Sequence, residues 1–79
     1  MRNAIIVDDE RLARRELRAM LEESHAATVR VVAEAESVRA AVELVRTCDA
    51  DVVFLDVQLA GESGLELLPT SIRRWRWCS

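Results

Sequence analysis

Lysine is absent from this chain: all 11 basic residues are arginine. No apolar run approaches the roughly 18 residues that a membrane-spanning helix needs. The first apolar stretch, Ala4-Ile5-Ile6-Val7, is too short for a signal peptide and runs into Asp8 and Asp9. The two cysteines, Cys48 and Cys78, form no C-x-x-C motif, and no metal-ligand spacing links them to the single His25. Unpaired thiols in a reducing compartment fit best, so a cytoplasmic protein is expected. The 79 residues allow one small domain. A chain of this size buries only about 60% of the surface its unfolded form exposes, which leaves any fold marginal.

The charge is unevenly placed. All 14 acidic residues lie within residues 1–68, whereas residues 69–79 hold three arginines and no acid. The composition therefore shifts sharply at Leu68-Pro69.

Ala4-Ile5-Ile6-Val7 has no polar alternation, which suits a strand covered on both faces in a parallel sheet. Asp8-Asp9-Glu10 ends it and places acids where a helix would begin. Ala13, Leu17, Met20 and Leu21 then mark one face of a helix, with Arg11, Arg14, Arg15 and Arg18 opposite. Glu10 and Arg14 stand at the i, i+4 spacing of an ion pair. The arginine stripe could dock a partner, but a solvated helix face explains it as well.

Val29–Ala33 reads as a second strand, nearer the sheet edge because Arg30 interrupts it. Ser37 suits an N-cap, and Val38, Ala41, Val42 and Val45 form the apolar face of a second helix. Asp49-Ala50-Asp51 stops that helix. Val52-Val53-Phe54-Leu55 is a third and more apolar strand, ending at Asp56. A loop with Gly61 and Gly64 follows, then Leu65, Leu67 and Leu68 at the start of an incomplete third helix. The order βαβαβ implies an α/β fold with a parallel sheet.

If the two helices cover opposite faces, the strand order is 2-1-3 and the first and third strands are neighbours. Asp8, Asp9 and Asp56 then meet at the carboxyl rim, where open α/β sheets bind ligands. Three carboxylates cannot share a site as bare charges, so a proton or a cation must neutralise them. Oxygen ligands select a hard cation such as Mg²⁺. A cation beside an exposed aspartate makes that aspartate a plausible nucleophile toward a phosphoryl group. A phosphatase of the haloacid-dehalogenase kind needs D-x-D, and Asp56-Val57-Gln58 lacks the second aspartate.

Three segments resemble the receiver domain of bacterial two-component response regulators. They are Ile5-Ile6-Val7-Asp8-Asp9-Glu10, Asp51-Val52-Val53-Phe54-Leu55-Asp56, and Gln58, Gly61 and Gly64 after it. The resemblance covers residues 2–68. It implies a flavodoxin-like (CheY-like) fold, dependence on Mg²⁺ and phosphorylation of an aspartate by a sensor histidine kinase. By position, Asp56 resembles the phosphoacceptor. Asp9 resembles the direct Mg²⁺ ligand, Asp8 its partner through water, and the backbone carbonyl of Gln58 a further ligand. Such a receiver is a signalling module, not an enzyme, with at most self-phosphorylation and dephosphorylation chemistry. The stretches at 11–17 and 63–68 look most like receivers joined to LytTR-type DNA-binding domains.

The departures from the family are also clear. Its receivers have five strands and five helices, whereas this chain carries the pattern of three strands. The family's switch Thr or Ser comes later than Thr70 and Ser71, and its paired Lys has no counterpart here. Ala60 stands where the family usually has proline. The residues from Pro69 to Ser79 show no clear apolar period and are expected to be a disordered tail, unrelated to the receiver part at 1–68. With three arginines and two tryptophans the tail invites a membrane or nucleic-acid reading, but it has no amphipathic length for one. The third strand would then present an unpaired apolar edge, a route to self-association. The alternative function is accordingly a non-signalling receiver fragment that acts, if at all, by pairing that edge. No membrane partner and no direct nucleic-acid partner are expected.

Overall fold

The computed structural model describes residues 2–24, 27–56, 59, 64–68 and 72–77. Strand β1 (Arg2–Val7) leads to helix α1 (Arg11–Ser24), β2 (Val29–Ala35), helix α2 (Val38–Cys48) and β3 (Val52–Asp56). A short 3₁₀ helix at Leu65–Leu67 follows, and then β4 (Arg73–Trp77). The sheet order is β2-β1-β3-β4 and every pairing is parallel. The flavodoxin-like arrangement 2-1-3 is therefore present, with a fourth strand beyond it. Among the described residues, the incomplete third helix appears as the 3₁₀ turn at Leu65–Leu67.

The alternation of β1 distributes the core. Ile5 and Val7 pack on the α2 side with Val38, Ala41 and Val45, while Ile6 packs on the α1 side with Leu17 and Leu21. Ala4 through Val7 have no exposed surface, which explains why the run carries no polar residue. Complete burial of an Ile or Val side chain stabilises by about 1.5–3 kcal/mol, so this strand anchors both layers.

Local signals set the ends of α2. The Ser37 side chain accepts from the N–H of Ala40 at 3.2 Å, the N-cap bond expected there. Asp49 closes the helix in the left-handed conformation, φ 53° and ψ 49°, and its N–H bonds the carbonyl of Val45.

Three expectations change. Met20 does not join the buried face of α1; it is 54% exposed. At about 100° per residue Met20 stands about 60° from Leu17 and about 100° from Leu21, at the margin of the face that meets the sheet. The segment at 73–77 is not a disordered tail but a strand, paired with β3 from Val52↔Arg73 to Asp56↔Trp77. Arg74-Trp75-Arg76-Trp77 alternates at a period of two, a strand pattern that the arginines obscure. The third strand consequently has neighbours on both sides, β1 and β4, and presents no free edge for self-association.

Candidate carboxylate site

The site is built at the carboxyl ends of β1 and β3. Parallel pairing of Val7 with Leu55 brings Asp8 beside Asp56. Asp8, Asp9 and Asp56 each offer a carboxylate oxygen, and those oxygens lie within 4.8 Å of one another. Asp8 is fully buried and Asp56 is 2% exposed, whereas Asp9 faces solvent. The nucleophile expected to be exposed is thus covered. Asp56 closes a central strand with β1 on one side and β4 on the other.

Asp8 is held by its own backbone and by the turn into α1. Its N–H donates to the carbonyl of Ala35 at 3.0 Å, which ties it to the end of β2. Its Oδ1 accepts the N–H of Glu10 at 2.9 Å. Its Oδ2 is buried and has no hydrogen-bond partner among the described residues. Burial pushes the Asp8 carboxyl above the ordinary aspartate range, against the Glu10 bond, and the neighbouring charges of Asp56 and Asp9 push it the same way. A buried acceptor without a donor, beside two more carboxylates, is a site short of positive charge. Its chemistry fits a hard divalent cation.

Arg14 also belongs to this site, and the sequence pattern conceals it. The Glu10–Arg14 spacing predicts an ion pair, but the Arg14 guanidinium turns elsewhere. Nη1 donates to the backbone carbonyl of Asp8 at 2.6 Å, and Nε donates to Glu34 on β2 at 3.3 Å. Arg18 reaches the same Glu34 through Nη1 at 2.8 Å and Glu22 through Nε at 3.2 Å. Half of the arginine stripe is therefore bonded across elements. Nothing in the periodicity of α1 points to Glu34, which lies 20 residues away from Arg14.

Gln58, whose carbonyl is an expected ligand, lies outside the described residues, as do Gly61, His25, Ala60, Thr70, Ser71 and Cys78.

The sequence family described as the response regulator receiver domain matches residues 4–76. The chain belongs to that family. The match ends at residue 76, within β4. Among curated relatives, the receiver is 40% identical over 67 residues to the sensory transduction protein LytT of Bacillus cereus, covering 85% of this chain and 26% of that one. Among solved structures it resembles the signal receiver domain of the response regulator NarL from Mycobacterium tuberculosis. There the TM-score is 0.67 and the identity 32%, over 84% of this chain and 52% of that one. It also resembles RcsB from Salmonella enterica serovar Typhimurium, bound to promoter rprA in the presence of the phosphomimetic BeF₃⁻. That TM-score is 0.66 and the identity 30%, over 80% of this chain and 50% of that one. The receiver spans about a quarter of the length of the curated relatives it matches. No helix among the described residues is long and apolar enough to cross a membrane.

Proposed function

We propose that this receiver accepts a phosphoryl group at Asp56, from a sensor histidine kinase, at a site completed by Mg²⁺. The observation that carries the reading is the convergence of Asp8, Asp9 and Asp56 at one rim, with a buried Asp8 oxygen that has no donor among the described residues. Asp8, Asp9 and Asp56 would hold a Mg²⁺ ion, with the Gln58 carbonyl as the further ligand that the family resemblance implies, and the ion would supply positive charge for the phosphoryl oxygens. The remaining work falls to the chain. A carboxylate oxygen of Asp56 attacks phosphorus. A P–O bond forms as the P–N bond of the phosphohistidine breaks, and the imidazole leaves with the electron pair. The backbone of β3, paired on both sides, holds Asp56 in position for that attack. The phosphomimetic named for RcsB is in keeping with this chemistry.

Cytoplasmic placement follows for a partner of such a kinase. For the alternative, a non-signalling receiver fragment, pairing through the edge of the third strand is not favoured, because β4 pairs along that edge.

The test is incubation with acetyl phosphate and Mg²⁺ followed by intact mass. A gain of one phosphoryl group, absent in Asp56→Asn and absent with EDTA, is expected. A folded sample that gains nothing overturns the reading.

A further inference from the structure

We infer that Arg14, oriented by Glu34, is a positioning residue that holds the Asp8–Asp9 peptide so that both carboxylates face the cation. This rests on the reading of the rim as a divalent-cation site.

The carbonyl that Arg14 binds belongs to the peptide joining Asp8 to Asp9. That unit is planar, so fixing its oxygen fixes the direction in which the chain leaves toward the Asp9 side chain. Asp8 is already held from two other directions, by Ala35 through its N–H and by Glu10 through its Oδ1. Asp9 is exposed and follows the strand's last pairing, and the bonded carbonyl lies in the peptide that leads into it.

The guanidinium suits this task because it is itself held. Nε and Nη1 lie in one plane and reach two partners at once, a fork that an ammonium cannot reproduce. The Arg14 side chain is 16% exposed and that of Glu34 27%, against 45% for Arg18 and 62% for Glu22. The Arg14–Glu34 pair is thus the sheltered end of the relay, and Arg18–Glu22 the exposed end. A shielded, charge-assisted pair holds its geometry better than an exposed one. The relay ties β2, α1 and the carboxylate rim to one another.

The sign of the effect separates positioning from simple charge. Arg14 carries positive charge close to the rim. By Coulomb's law alone, its removal would tighten binding of a cation. Loss of positioning does the opposite, since partners that orient ligands typically change metal affinity by about 10–100-fold.

The experiment is calorimetric titration of the full chain with MgCl₂, with the urea midpoint of each variant measured alongside. Arg14→Ala is expected to weaken Mg²⁺ binding by roughly tenfold. Arg14→Lys keeps the charge but not the fork and is expected to remain several-fold weaker than the original chain. Glu34→Gln is expected to weaken binding by a smaller factor in the same direction. Without metal, faster amide exchange at Glu10 in Arg14→Lys is expected, because its N–H bonds the Asp8 side chain. Unchanged or tighter Mg²⁺ binding in folded Arg14→Lys and Glu34→Gln overturns the role of Arg14 and leaves the site intact. An original chain that binds no Mg²⁺, or binds it equally well as Asp9→Asn, overturns the cation site and this role with it.

Discussion

Asp51 and Asn3 bond each other twice. The Asp51 N–H donates to the Asn3 carbonyl at 2.7 Å, and the Asp51 carboxylate accepts the Asn3 N–H at 3.0 Å. This pair closes the entry to β1 and β3, and the Asp51 carbonyl then accepts the N–H of Arg73, where β4 begins. One residue thereby registers three strands at the rim opposite the carboxylate site.

Asp51→Ala removes the side-chain half of that pair. A loss of about 1 kcal/mol is expected, the usual worth of such a bond. Asp51→Asn retains an acceptor oxygen and should lose less. Urea midpoints at constant slope check both. An alanine variant as stable as the original chain would sink the registering role of the carboxylate.

The raised Asp8 carboxyl makes stability depend on pH. The folded chain holds this proton more tightly than the unfolded one. The contribution of Asp8 is therefore full below the ordinary value of 3.8 and is lost as pH rises toward the higher folded value. In buffer with EDTA, Asp8→Asn is expected to be more stable than the original chain at neutral pH, by about 1 kcal/mol. That advantage should shrink as the pH falls through the window above 3.8. Urea titrations across this range decide it. A constant difference at all pH values would contradict the assignment.

Gly64 stands at φ +106°, a conformation that side chains rarely adopt. Space is not the obstacle, since an added Cβ would meet Val38 Cγ1 at an ordinary 3.7 Å. Gly64→Ala should therefore cost about 1–3 kcal/mol through the backbone alone. Thermal unfolding of the alanine variant measures it, and a cost near zero would mean that this turn adopts another conformation.

Deletion of residues 72–79 removes β4 and exposes the far side of Val52–Leu55. An apolar, nearly uncharged strand then becomes an edge, which favours association between chains. Sedimentation velocity should show the shortened chain at higher mass than the original at equal concentration. A shortened chain that stays monomeric and equally stable would show that β4 contributes little.

Several elements were legible without the structure, each for a physical reason. An apolar run without alternation marks a strand with two covered faces, and Ala4–Val7 is one. A serine before a helical apolar stripe marks a cap, and Ser37 accepts the expected bond. Parallel pairing of two such strands carries their terminal aspartates to one rim. The sequence by itself therefore determined the sheet order 2-1-3, the identity of the converging acids and the family.

Tertiary structure decided what lies between distant residues. Which partner Arg14 takes depends on how α1 lies against β2, and no helical spacing encodes Glu34. The closed flank of β3 depends on β4, whose five residues earn their conformation by pairing with β3. A strand that short has little intrinsic preference of its own, so its pattern of arginine and tryptophan acquires meaning only beside a neighbour.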